Sequence, residues 1–206
     1  MLTLTDIRRA LERHEPHIKT FVPVREHAAV AMILAGPAHD LSLCFIRRAE
    51  RTGDPWSGHY AFPGGRAHPD DASAQAVAER ETEEEVGLTL RPGQLLSPLS
   101  EMPVKLGGVD IGMMLSPFVY YVGERSPPLV PNGEVASAYW VPLGHLWDTA
   151  NTTHLQFERN GTRMIYPAIR YRDYVIWGLT FRLLTLFSDV LDAPLPHLEE
   201  IPGLGH

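Results

Sequence analysis

One segment constrains this chain more than any other. Residues 72–87 read Ala72-Ser73-Ala74-Gln75-Ala76-Val77-Ala78-Glu79-Arg80-Glu81-Thr82-Glu83-Glu84-Glu85-Val86-Gly87. On a helix, Ala74, Val77 and Ala78 form an apolar stripe that should meet a core. The stripe runs on into Glu81, Glu84 and Glu85, which fall within about 100° of one another. Glu79 and Glu83 point the other way, where acids belong. The three glutamates therefore continue the buried face instead of opposing it. They also crowd the C-terminal half of the helix, where the macrodipole disfavours negative charge, and they repel one another at close helical spacing. A solvated acidic face is the bland explanation, but it accounts for neither feature. A divalent cation would relieve all of these costs together, and oxygen-only ligands select a hard ion, Mg²⁺ or Mn²⁺, over zinc. Arg80 lies four residues before Glu84, where it can orient that carboxylate. An ordinary surface ion pair fits the same spacing.

The helix is expected over 71–86, with Asp70 or Asp71 as N-cap and Gly87 as its stop. Just upstream stands Ala61-Phe62-Pro63-Gly64-Gly65-Arg66. Paired glycines let a backbone approach a ligand or metal closely. Alone this is a turn; joined by a short loop to a carboxylate helix it becomes a candidate site.

Elsewhere, Leu4, Ile7 and Leu11 predict an amphipathic helix over 3–14, and residues 28–35 and 41–47 predict strands separated by Gly36-Pro37. Residues 53–69 read as a Gly/Pro-rich loop, 112–122 and 135–141 as further strands. Asn160-Gly161 between two β-prone runs signals a hairpin. A last helix is expected over 173–192, with a loose tail over 193–206. Strands mixed with a few helices, without regular alternation, predict a single α+β domain spanning 1–206, with 1–25 as a helical N-terminal extension.

Composition supports this. A hydrophobic fraction of 44% and a charged fraction of 21% suit a packed globular domain rather than a disordered or fibrous chain. The single cysteine, Cys44, excludes an internal disulfide framework and any multi-cysteine metal site, and reads as a core residue. With 25 acidic against 18 basic residues, the net charge of −7 argues against nucleic acid as a partner. The first 14 residues lack the apolar core of a signal peptide, and no apolar run reaches the ~20 residues of a membrane span. The expected setting is cytoplasmic, without a membrane partner.

Taken together, Arg80-Glu81-Thr82-Glu83-Glu84-Glu85-Val86-Gly87-Leu88 resembles the second half of the Nudix hydrolase box, Gly-x5-Glu-x7-Arg-Glu-U-x-Glu-Glu-x-Gly-U, where U is a bulky aliphatic residue. Thr82 stands at a U position. The stretch from Gly65 to Arg80 is one residue longer than the general box, and Asp71 stands six after Gly65 in place of Glu. The resemblance implies an α/β/α sandwich around a mixed sheet. It makes Glu81, Glu84 and Glu85 ligands of Mg²⁺ or Mn²⁺, with the Gly64 or Gly65 carbonyl as a further ligand and Arg80 orienting the glutamates. Within the family the chain looks similar to the coenzyme A pyrophosphatase branch. The shared features are the longer loop of Phe62–Gly65 and Pro69-Asp70-Asp71, Arg48-Ala49 before the box, and Ile176-Trp177-Gly178-Leu179-Thr180.

The implied activity is metal-dependent hydrolysis of the pyrophosphate bond of coenzyme A or a derivative, giving 3′,5′-ADP and 4′-phosphopantetheine. Hydrolysis of ADP-ribose or a sugar-linked nucleoside diphosphate is the alternative, and a catalytically silent nucleotide-binding domain is a third reading. Arg47, Arg48, Arg51 and Arg66 are candidate phosphate ligands, since forked guanidinium donors suit phosphate. Trp56 and His59 are candidate pocket residues. Glu101 and Glu134 are candidate general bases outside the helix. A small-molecule nucleotide is the expected partner, with a second copy of the chain considered as a homodimer partner.

Overall fold

A computed structural model describes residues 2–24, 26–53, 57–159 and 162–196. The helix α1 (Leu4–Arg13) starts at a capping box in which Thr3 and Asp6 satisfy each other, and it buries Ile7 and Leu11. Strand β1 (His27–Ala35) is a near-continuous apolar run because both of its faces are covered. Strands β2 (Ser42–Arg48), β3 (Tyr60–Ala61) and β4 (Gly64–Arg66) follow, then α2 (Ala74–Val86). Next come β5 (Leu95–Pro98), β6 (Met102–Leu106), β7 (Val109–Tyr121), β8 (Val135–Pro142) and the short helix α3 (Leu143–Leu146). The chain continues through β9 (Thr152–Arg159), β10 (Thr162–Tyr171) and β11 (Tyr174–Trp177) to α4 (Gly178–Val190).

Eight strands form one mixed sheet in which β1 pairs in parallel with β7 and all other pairings are antiparallel. On its other edge β1 pairs with β2 at Leu34–Ala35 and with β4 at Ala28–Val30. The sheet therefore splits along β1, and the split sets the position of the site. A separate three-stranded sheet holds β9, β10 and β11. Ala29, Ala31 and Ile33 of β1 pack with Ala74, Val77 and Ala78 of α2 in one layer. Met32 and Leu34 pack with Ile7, Leu11, Leu184 and Phe187 in the other. This is the expected α/β/α sandwich with a mixed sheet. Cys44 is buried in the α2 layer, as read.

Several local expectations are corrected. The N-cap of α2 is Ser73, whose hydroxyl accepts from the Ala76 amide at 3.1 Å; Asp71 is committed to Arg80 instead. Gly87 ends α2 as expected, with φ of 67° and its amide donating to Glu83 O. The last helix begins at Gly178, not 173. Residues 174–177 pair with β10, and the positive φ of Gly178, 61°, separates strand from helix. Strand β7 begins at Val109, ahead of the expected 112. The short strands β3 to β6 escaped the periodicity, because two to five residues carry too little pattern. The hairpin of β9 and β10 forms with Arg159 opposite Thr162, while its Asn160-Gly161 turn lies outside the described residues. Of the tail, 197–206 lies outside them as well. Among the described residues no helix is long and apolar enough to cross a membrane.

Candidate active site

Where the sheet splits, a cavity of about 560 Å³ opens between β3, β4, α2 and the start of α4. Its polar lining is Arg48, Gly64, Gly65, Arg66, Glu81, Glu85 and Glu134. Its apolar lining includes Val30, Val104, Met113, Leu115, Leu179 and Leu183, with His59 and Trp177 beside them.

The glycines place the loop against α2. The Gly64 amide donates to Glu85 Oε2 at 2.9 Å. A Cβ on Gly64 would collide with Ala29 and Val30 of β1, and one on Gly65 would collide with the Glu81 carboxylate. Only glycine lets β4 pass between the strand and the helix here.

The three glutamates of the stripe separate in space. Glu85 is 3% exposed and Glu81 lies partly buried beside Gly65, whereas the Glu84 side chain is 55% exposed and does not line the cavity. Burial pushes the Glu85 carboxyl up to about 8, against the lowering effect of the Gly64 amide and Arg48. Burial also raises Glu81, opposed by Arg80. Glu79, expected among solvated acids, is half-buried and accepts hydrogen bonds from Gln75 and from the buried Tyr120 hydroxyl.

Arg80 organises this corner. Its guanidinium donates twice to Asp71, through Nε and Nη2, each at 3.0 Å. Nη1 reaches Glu81 Oε1 at 2.9 Å and Glu84 Oε2 at 3.3 Å. A further link runs from Nη2 to the Arg66 carbonyl. The hydrogen bonds from Arg80 hold the Asp71 carboxyl below the usual carboxylate range. The pairing of Arg80 with Asp71 was not read from the sequence; their nine-residue separation crosses the loop into the helix, where no periodicity applies.

Other candidates sort clearly. Arg48, Arg66, His59 and Glu134 all line the cavity. Arg51 does not; it turns to Glu134, Nη2 to Oε1 at 3.1 Å, in an exposed pair. Arg47 stacks on Tyr174 instead of entering the cavity. Glu101 is not at the site. It is buried elsewhere, accepting from the Ser116 hydroxyl at 2.6 Å and from the Lys19 amide at 3.0 Å. Trp56 lies outside the described residues. Trp177 and Thr180 are walls that the sequence reading gave no role, although both belong to the late motif quoted for the resemblance. Trp177 lies 4.8 Å from the His59 ring, and the Thr180 hydroxyl donates to Tyr60 O at 2.7 Å.

Among the described residues no three Asp, Glu, His or Cys side chains converge on a point able to hold a metal ion. Arg80 draws Glu81 and Glu84 to itself, and the Gly64 amide draws Glu85. The donor set nevertheless fits a hard cation in kind. Glu81 and Glu85 are oxygen donors whose burial is costly without a countercharge, beside a backbone kept bare by Gly65.

Residues 25–163 match the NUDIX domain family. The chain is 32% identical over 185 residues to the uncharacterized Nudix hydrolase NudL of Photorhabdus laumondii, covering 87% of this chain and 93% of that relative. It is 32% identical over 183 residues to the human mitochondrial coenzyme A diphosphatase NUDT8, covering 86% of this chain and 74% of that relative. In fold it is similar to a MutT/nudix family protein from Enterococcus faecalis, with a TM-score of 0.56 at 16% identity, covering 93% of this chain and 76% of that one.

Proposed function

The chain belongs to the Nudix hydrolase family, and from that premise we propose that it cleaves the pyrophosphate bond of coenzyme A or a derivative with the help of Mg²⁺ or Mn²⁺. The observation that carries the reading is the mixed lining of the cavity. The buried carboxylates Glu81 and Glu85 and the arginines Arg48 and Arg66 line it together with Val30, Val104, Met113, Leu115, Leu179 and Leu183. A pyrophosphate with a long, largely uncharged arm matches that lining. The similarity to a coenzyme A diphosphatase supports the same substrate.

Glu81, Glu84 and Glu85 would hold the cation, with the backbone at Gly65 beside them. Bound there, such an ion neutralises phosphoanhydride charge and activates water. The chain's own residues do the rest. Arg80 holds Glu81 and Glu84 in orientation while Asp71 fixes Arg80. Arg48 and Arg66 bind the pyrophosphate oxygens through their guanidinium donors. Glu134 faces the cavity from outside the helix and takes the proton from water at the oxygen not held by Arg51. The water oxygen bonds to phosphorus, the bridging P–O bond breaks, and two phosphate monoesters leave.

The test is kcat/KM for coenzyme A, dephospho-coenzyme A and ADP-ribose with Mg²⁺. Coenzyme A should be preferred, yielding 3′,5′-ADP and 4′-phosphopantetheine. Equal or better cleavage of ADP-ribose overturns the substrate assignment and favours the nucleoside diphosphate alternative. Glu134→Gln should lower kcat by about 10²-fold or more with KM little changed; a near-normal kcat removes Glu134 from the role of base.

A further inference from the structure

Beside the cavity, the turn between β10 and β11 carries a cluster that the reaction above does not use. Tyr60 stands at its centre, with the rings of Tyr139, Tyr171 and Tyr174 edge-on at 6.0, 6.1 and 6.0 Å. The Tyr60 side chain is 2% exposed, and its hydroxyl is buried without a hydrogen-bond partner. Buried hydroxyls are normally satisfied, so an orphan asks for a ligand.

Two guanidiniums flank it. Arg47 lies 4.5 Å over the Tyr174 ring and donates to the Tyr174 hydroxyl at 2.9 Å. Arg172 lies 4.6 Å over Tyr139 and 5.6 Å over Tyr171. Among the described residues neither forms an ion pair with a carboxylate, although acids outnumber bases in the chain. Both lie near enough to Tyr60 to oppose the upward push of burial on its phenol. Aromatic stacking thus holds two positive charges with their N–H edges uncommitted to any anion.

The backbone adds a third sign. Tyr171 pairs with Tyr174 across a two-residue turn whose first residue, Arg172, has φ of 54°. Glycine is favoured at such a position and arginine is strained there.

We propose that Arg47, Arg172 and the Tyr60 hydroxyl form a binding site for a phosphate monoester, separate from the carboxylates of α2. The two forked guanidiniums engage the phosphate oxygens, and the Tyr60 hydroxyl donates to it once Arg172 swings from the rings onto the anion. Tyr60 itself lines the cavity, and Tyr174 stands three strand residues from Trp177 of the same wall, so the site borders the cavity. That adjacency lets one molecule present a pyrophosphate to the cavity and a terminal phosphate monoester to the cluster. Free phosphate presents the same chemistry without the substrate.

Calorimetric titration of inorganic phosphate into the metal-free protein tests the site without turnover. Arg172→Gly, which suits the turn, and Arg47→Gln should each weaken binding about tenfold or more. Arg172→Gly should not lower the melting temperature. Arg125→Gln, at an exposed residue that lines neither the cavity nor the cluster, should leave the binding nearly unchanged. No binding in the millimolar range, or binding unaltered in both the Arg47 and Arg172 variants, overturns the proposal. A second arm identifies the source and rests on the coenzyme A reading. If the phosphate is the substrate's own, Arg172→Gly raises KM for coenzyme A but not for dephospho-coenzyme A. If it is free phosphate, neither KM moves while phosphate binding is lost. Failure of coenzyme A turnover would sink the substrate reading and leave the titration result standing.

Discussion

Arg80 grips Asp71 through two parallel hydrogen bonds of 3.0 Å, and this pair ties the glycine loop to the carboxylate helix. The Asp71 side chain is 7% exposed while Arg80 is 32% exposed, so one charge is buried and its partner reaches water. Asp71→Ala leaves Arg80 to Glu81, Glu84 and the Arg66 carbonyl. The cost should be about 1–2 kcal/mol, the lower part of the range for charged hydrogen bonds because Arg80 is partly screened. A melting temperature lower by a few degrees, with reduced kcat, is the expected result. Unchanged stability and turnover would show that the pair anchors nothing.

Glu85→Gln should separate stability from activity. The carboxyl is raised to about 8 by burial, so in the metal-free protein a neutral amide replaces a group whose ionised form the fold disfavours. Its carbonyl still accepts from the Gly64 amide. The melting temperature of the metal-free variant should equal or exceed that of the parent, while kcat with Mg²⁺ falls about 10²-fold or more. Glu84→Gln should also lose turnover but barely change stability, because Glu84 is exposed. If either variant keeps near-normal kcat at saturating Mg²⁺, that residue is not a metal ligand.

Millimolar Mg²⁺ at fixed ionic strength should raise the melting temperature of the metal-free protein, since an ion that binds only the folded state stabilises it by mass action. The shift should shrink in Glu85→Gln. A scan with no shift would argue against a cation site formed by the glutamates of α2.

His27 predicts a pH dependence unrelated to metal. Its Nε2 lies 2.7 Å from the Ser116 hydroxyl, which donates onward to Glu101. Burial lowers the His27 pKa below the ordinary 6.5, partly offset by the Glu101 charge. The unfolded chain therefore binds the proton more readily than the native one. This contribution to stability is complete above about 6.5 and is lost as pH falls from there towards the folded value, with a slope of at most about 1.4 kcal/mol per pH unit. His27→Gln should flatten the melting-temperature profile in that window. An identical profile in parent and variant would refute the assignment.

The parts legible in the sequence were those encoded by neighbours. The period of α2, its Gly87 stop, the apolar run of β1 and the hairpin of β9 and β10 depend on residues within a few positions of one another. The parts that escaped depend on distant partners. Glu101 read as a candidate base because nothing near it reveals that the Lys19 amide, 82 residues away, and Ser116 enclose it. Arg47 and Arg51 read alike as phosphate ligands of one site, yet Tyr174 draws Arg47 to the tyrosine cluster and Glu134 holds Arg51.

The sequence alone determined that Glu81, Glu84 and Glu85 share one side of a helix that also carries the core stripe, because helical geometry places them there whatever surrounds it. Tertiary structure decided which of them are buried. The stretch Gly64–Gly65 threads between β1 and α2, covers Glu81 and Glu85, and leaves Glu84 in solvent. Periodicity specifies direction from the helix axis, but burial and proton affinity depend on what another part of the chain lays against that direction.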